Sequence, residues 1–347
     1  MTLSAILDNK EKHNNSVGLS LANFPRQCSD AFFSGRNLGL SREKRHNAVF
    51  LCGTGGSALA GDMIFNLGLS QGKVPFFVIR DHTLPPWVDE SSLVITISYS
   101  GNTAEALSCY DQTKERKATS VVVTSGGLLG DAAKKDGAFT IEVPKGFQPR
   151  MATLHMALPL VLLLREAGLL EIADAAIVET YVNLCSLSQR WGIENPAVKN
   201  RAKATSVQLF NKMPLIWGSA GLTDAGARNF KNQLNETAEA AAFYGVVPEV
   251  GHNEIMSLNK KENIGLILLR CQQEDPKIVK VFETAKIVLV DKTAMLSEVW
   301  LPGNSLLATL SGAFFFGDLT AYYLSLLKGV DPTDISLINS FKARLRR

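Results

Sequence analysis

The chain's 347 residues, 46% of them apolar and 20% charged, suffice for one large domain or two in an ordinary soluble globular protein. A formal net charge of +3 with scattered Lys and Arg leaves no basic bank for nucleic acid; only the tail Lys342-Ala343-Arg344-Leu345-Arg346-Arg347 is locally basic, as befits a helix C-terminus. Five cysteines (28, 52, 109, 185, 271) without a Cys-x-x-Cys pair, and five histidines without ligand spacing, argue against a disulfide framework and a metal centre.

Residues 1–46 form an N-terminal helical segment whose first ten residues lack the basic-then-apolar pattern of a signal peptide. From residue 47 to about 150, apolar runs alternate with amphipathic ones. Strands are expected at 48–51, 75–79, 93–97, 120–123 and 139–143, with helices at 57–66 and 103–113. Near-continuous apolar strands between helices imply a parallel sheet covered on both faces. The break Pro144-Lys145-Gly146-Phe147-Gln148-Pro149-Arg150 precedes a helical connector (151–195) with helices at 151–166 and 171–190. A second alternating unit (196–347) has strands at 215–218, 264–269 and 287–290 and ends in helices at 305–327 and 332–345. Residues 305–327 are long enough to span a bilayer, yet Asp318 in their middle favours a helix buried in protein, so no membrane partner is expected.

Two loops carry the chemistry. Gly53-Thr54-Gly55-Gly56-Ser57 and Ser98-Tyr99-Ser100-Gly101-Asn102-Thr103 each follow a strand and open a helix, offering hydroxyls and free N–H groups to an anion. Neither ends in Gly-Lys-Ser/Thr, so a nucleotide P-loop is not indicated; a compact phosphate on a small molecule is. The first loop also fits a dinucleotide fingerprint with Asp81 as its acidic partner, or a plain tight turn, and Thr103 fits a helix cap. Thr124-Ser125-Gly126-Gly127 is either a third wall or a turn. Arg150 at the break is a pocket residue or a surface one. Asn235-Glu236 with Pro248-Glu249-Val250-Gly251-His252-Asn253-Glu254 brings three carboxylates and an imidazole together, groups suited to proton abstraction beside a carbonyl or to a solvated surface.

Ser-x-Ser-Gly-x-Thr after a strand, with Gly-Gly-Ser upstream, resembles the sugar isomerase (SIS) domain. The ordered set Gly55-Gly56-Ser57, Ser98 to Thr103, Gln148-Pro149-Arg150, Asn235-Glu236, Gly251-His252-Asn253 and Lys342 is similar to that of bifunctional phosphoglucose/phosphomannose isomerases, from about residue 47 to the end. The resemblance implies two SIS-like subdomains, each a mainly parallel sheet flanked by helices (doubly wound, flavodoxin-like). It implies that Gly56, Ser57, Ser98, Ser100 and Thr103 hold a sugar phosphate, and that Glu236 moves a proton between C2 and C1 through a cis-enediol. His252 would assist ring opening from the partner subunit of a homodimer, Arg150 would stabilise the enediolate, and Lys342 would line the sugar site. No metal or redox cofactor is then needed, and a cytoplasmic location is expected. Thr54 has no assigned role, and Thr333 is a further pocket candidate. A phosphosugar-sensing SIS regulator, an isomerase of another phosphosugar and a nicotinamide dehydrogenase are the alternatives.

Overall fold

Strands that are apolar at every position need cover on both faces, and helices on either side of a parallel sheet supply it. The computed structural model describes residues 2–35, 39–40, 44–259 and 262–345; Arg346 and Arg347 of the basic tail lie outside them. In chain order the elements are α1 (Leu3–Leu7), α2 (Ser16–Ala22), α3 (Phe24–Ser34), β1 (Ala48–Cys52), α4 (Gly56–Gln71), β2 (Phe76–Ile79), β3 (Ser92–Ser98), α5 (Ala104–Glu115), β4 (Thr119–Thr124), α6 (Gly127–Asp136) and β5 (Phe139–Glu142). Then follow α7 (Thr153–Glu166), α8 (Asp174–Trp191), α9 (Arg201–Leu209), β6 (Met213–Ser219), α10 (Asp224–Thr237), β7 (Phe243–Val247), β8 (Glu262–Cys271), α11 (Pro276–Leu289), β9 (Thr293–Leu301), α12 (Leu306–Lys328) and α13 (Ser336–Leu345).

These elements form two compact units. One comprises Phe24–Asn183 and Gly303–Ser311; the other comprises Met1–Asn23, Leu184–Pro302 and Gly312–Arg347. The units thus divide the chain inside α8 and α12 and part residues 2–23 from 24–46, a different partition from segments cut at the turns.

The first-sheet unit carries five parallel strands in the order β2-β1-β3-β4-β5. Strand order reverses at β1, so a crevice opens beyond the carboxyl ends of β1 and β3, where doubly wound sheets bind ligands. Both strands are buried throughout. Helix α4 shows hardly any polar face because it is enclosed, its residues Ser57–Ile64 all buried, while α7 is buried from Thr153 to Leu164.

The second-sheet unit repeats the plan with four parallel strands ordered β7-β6-β8-β9. Trp217, Leu266, Leu268, Phe282 and Leu289 share its core. The expected strand at 287–290 is instead the end of α11 and its C-cap, Val290. Asp275 caps that helix by accepting from Lys277 N–H, Pro276 occupies its first turn, and Phe282, Ala285 and Leu289 bury at helical spacing. The strand itself is β9, with Thr293, Ser297, Val299 and Leu301 inward. Helix α12 is long and apolar enough to cross a membrane, yet it is buried along its length within the protein. Asp318 in its middle accepts a 2.8 Å hydrogen bond from Asn229 Nδ2, which gives the carboxylate a polar partner away from water.

Candidate active site

Three loops leave the carboxyl ends of β1, β3 and β4 in the first-sheet unit, and hydroxyls of the first and third bond to the Tyr99 backbone of the second. Ser57, in the first turn of α4, accepts from the backbone N–H of Tyr99 at 3.1 Å. Ser98 Oγ donates to Thr103 Oγ1 at 3.1 Å and accepts from Gly101 N–H at 3.1 Å. Ser100, exposed, accepts from Asn102 N–H at 3.3 Å. Two expected phosphate ligands, Ser57 and Ser98, are thus buried at the loop bases, while Ser100 and Thr103 sit nearer solvent.

The N-cap residues of the helices behind these hydroxyls offer no side-chain cap of their own. Thr103 occupies the N-cap of α5, but its side chain accepts from no helix N–H because it is turned to Ser98. The N-caps of α4 and α6 are Gly55 and Gly126, which have no side chain to offer. By contrast α1, α2, α9 and α11 are capped by Thr2, Asn15, Asn200 and Asp275. Uncapped amides at the starts of α4 and α5 provide positive potential and donors, the requirement for holding an anion, whereas at α6 the Leu128 and Leu129 N–H groups are taken by Asn102 Oδ1 and the Gly101 carbonyl.

Close backbone approach sets the loop positions. A Cβ on Gly56 would lie 2.9 Å from the backbone nitrogen of Arg150, so the first loop rests on the segment carrying that arginine. Gly101, at φ +66°, has its Cα against the carbonyl of Gly126, which a Cβ would meet at 1.7 Å. The stretch 124–127 is therefore a wall of the same loop cluster. Asn102 reinforces it, accepting from Leu128 N–H at 3.1 Å.

Arg150 lies in a short 3₁₀ turn, Pro149–Met151, and is 2% exposed. Tyr99, which the motif carries without an assigned role, is 8% exposed and bonds on every side. Its phenol donates to the Pro144 carbonyl at 3.1 Å and accepts from Phe147 N–H at 2.8 Å. Its own carbonyl accepts from Ser125 N–H and Oγ. Burial raises the phenol above the usual tyrosine range, partly offset by the Phe147 amide, so it stays protonated and able to donate. Spacing in the sequence gives no hint of this; the only signal is an aromatic residue set inside a hydroxyl motif.

The remaining candidates belong to the second-sheet unit. Glu236 is half-buried in the last turn of α10, beside Asn235, whose Nδ2 donates to the Ala240 carbonyl at 2.8 Å. His252 is exposed and ends the 3₁₀ turn Glu249–Gly251. The other two carboxylates of that segment have structural partners. Glu249 accepts from Asn253 Nδ2 at 2.8 Å, and Glu254 accepts from Trp217 Nε1 at 2.6 Å. Lys342 lies on α13, none of whose residues is buried. Thr333 is half-buried, with its hydroxyl donating to Asp331 at 2.7 Å.

Comparisons with known proteins cover almost the whole chain. The SIS domain family model matches residues 43–165, and that of the bacterial phospho-glucose isomerase C-terminal SIS domain matches residues 198–345. The chain is 34% identical to the bifunctional phosphoglucose/phosphomannose isomerase of Caldicellulosiruptor bescii, over 94% of its own length and 98% of the relative's. It is 33% identical to the protein of the same name from Aquifex aeolicus, over 87% and 91%. Among solved structures, a hypothetical protein of Thermus thermophilus superimposes with a TM-score of 0.74 at 16% identity, over 99% of this chain and 94% of that one. That last likeness shows the fold.

Proposed function

The chain belongs to the bifunctional phosphoglucose/phosphomannose isomerase family, and from that premise we propose how it works as an aldose–ketose isomerase of phosphosugars. Glucose 6-phosphate and mannose 6-phosphate are its substrates, and fructose 6-phosphate is the common product. The observation that carries the reading is the cluster of hydroxyls and uncapped helix amides at 55–57 and 98–103. It suits a phosphate on a small sugar, with Gly56 allowing close backbone approach and Ser57, Ser98, Ser100 and Thr103 supplying hydroxyls.

The chemistry moves one carbon-bound proton. Glu236, as carboxylate, takes the proton from C2 of the open-chain aldose. The C2–H electron pair becomes the C1=C2 bond, and the carbonyl pair moves onto O1, giving a cis-enediolate. Return of the proton to C1, with the O2 hydroxyl proton passing to O1, yields the ketose. Arg150 stabilises the developing oxyanion; as a guanidinium screened from water, it acts in a medium of lowered dielectric. Rotation about C2–C3 lets one base serve both epimers. The molecule as a whole is neither oxidised nor reduced, so the step draws on no redox cofactor, and none of the roles is given to a metal.

His252 opens the sugar ring from the partner subunit of a homodimer, and Lys342 lines the sugar site. Support for a partner comes from α13, where Leu337, Phe341 and Leu345 are all exposed. That none of the five cysteines is joined in a disulfide accords with the reducing cytoplasm we assign.

A coupled assay for fructose 6-phosphate, run separately on the two aldose phosphates, tests the assignment. Glu236→Gln is expected to lower kcat by at least about 1,000-fold while phosphosugar binding persists. Normal turnover in that variant removes Glu236 from the base role. Binding without turnover by the unmutated protein supports the sensor reading instead.

A further inference from the structure

We propose that Tyr99 is the positioning residue that couples the phosphate-binding loop to Arg150; the inference rests on the reading of Arg150 given above. Tyr99 sits between Ser98 and Ser100, so its backbone is part of the loop that would receive the phosphate. Its N–H fixes Ser57 at 3.1 Å, and its carbonyl holds Ser125 at 2.7 Å. Through these two bonds the loops after β1, β3 and β4 share one residue.

The side chain then reaches out of the loop. Its phenol spans residues 144–147, gripping the Pro144 carbonyl and the Phe147 amide at 3.1 and 2.8 Å. Those residues are the first half of the break that delivers Gln148, Pro149 and Arg150. Phe147 is held from its other side too, with its ring 5.1 Å from that of His155 on α7. Beyond it, the Arg150 backbone rests on Gly56, with no room for a Cβ between them. The arginine is therefore located from two directions, through Gly56 and through the Tyr99 phenol, and both begin at the proposed phosphate site. A phosphate that orders the 98–103 loop thereby orders the segment bearing the cation for the enediolate.

The specific variant is Tyr99→Phe, which keeps the ring in its buried seat and removes only the bonds to residues 144 and 147. Its far-UV circular dichroism is expected to match that of the unmutated protein. With either aldose phosphate, kcat is expected to fall on the order of 10- to 100-fold, the scale of a misplaced catalytic group. KM and the inhibition constant of inorganic phosphate should change by less than about 3-fold, since every phosphate ligand is retained. Arg150→Ala and the double variant complete a cycle. If Tyr99 acts through Arg150, the double variant is no slower than Arg150→Ala alone.

Three results overturn the inference: undiminished kcat in Tyr99→Phe, loss of phosphate affinity in step with kcat, or multiplicative losses in the double variant. Full activity of Arg150→Ala is a separate result. It removes the arginine from catalysis, and the coupling role with it, whereas an impaired Arg150→Ala beside a normal Tyr99→Phe rejects the coupling alone.

Discussion

At the scale of single residues, the hydroxyl loops are an arrangement in which glycines set distance and serines set chemistry. The serines and Thr103 stand out in the sequence as candidates because hydroxyls clustered between a strand and a helix have few structural purposes beyond capping and anion binding. Tyr99 does not, since its role depends on a turn 45 residues further along the chain. Gly101 offers a direct test of loop spacing. It combines a left-handed φ of +66° with a missing Cβ that would stand 1.7 Å from the Gly126 carbonyl oxygen. The conformation alone costs an alanine about 1–2 kcal/mol, and the clash is with backbone, which no rotamer change relieves. Gly101→Ala is therefore expected to separate the second and third loops and raise KM for either aldose phosphate at least about 10-fold, with stability lowered by roughly 2–4 kcal/mol. Steady-state kinetics and urea unfolding measure both; an unchanged KM means that contact between the loops does not shape the site.

At the scale of elements, the two sheets share one plan, but their carboxyl edges have different contents. The echo between Cys52-Gly53 and Trp217-Gly218-Ser219 places both turns at the end of a sheet's first strand, where strand order reverses. In the second sheet the chain fills that crevice itself. Glu274, its side chain wholly buried, accepts from Ser219 Oγ and from Cys271 N–H, each at 3.1 Å, and from Arg270 Nε at 2.7 Å. An internal carboxylate thus takes the place that we propose for an external phosphate in the first sheet. Removing it leaves Arg270, also wholly buried, with Glu283 and Glu298 but with its Nε–H bare. Glu274→Ala is expected to lower unfolding free energy by on the order of 3 kcal/mol, the usual cost of breaking a buried pair. Urea denaturation that places the variant within about 1 kcal/mol of the unmutated protein would show that the carboxylate is not integral to the crevice. None of this was readable in advance. Strands β1 to β4 are announced by nearly continuous apolar runs, and so are β6 and β8. Edge strand β9 instead alternates, and it follows the β-branched end of α11, whose Ile287 and Val288 face solvent. Apolarity without periodicity misplaced that boundary; the Asp275-Pro276 start of the helix was the better signal.

At the scale of the whole molecule, the outstanding feature is a helix that buries nothing. α13 runs from Ser336 to Leu345, and Leu337, Phe341 and Leu345 recur along it at four-residue spacing with exposures of 82%, 64% and 72%. Residues so spaced fall on one side of a helix. Ten residues are too few for a helix to persist in water on propensity alone, so an apolar face of this kind calls for packing from outside the chain. In the homodimer we propose, a second copy related by a twofold axis would provide it symmetrically. The candidate residues fit the same requirement, since His252 and Lys342 are exposed whereas Arg150, Ser57 and Ser98 are not. If His252 serves the partner's substrate, each site takes its base from one subunit and its ring-opening group from the other. Mixing inactive Glu236→Gln with inactive His252→Ala subunits then recreates intact sites in mixed dimers, at most one site per dimer. With random exchange of equal amounts, half the dimers are mixed, and activity should return to about one quarter of the unmutated level. Subunit exchange followed by native mass spectrometry, with the coupled assay run on the same samples, gives the comparison. Complete exchange with no recovered turnover would mean that each chain builds its site alone, and the apolar face of α13 would then need a different occupant.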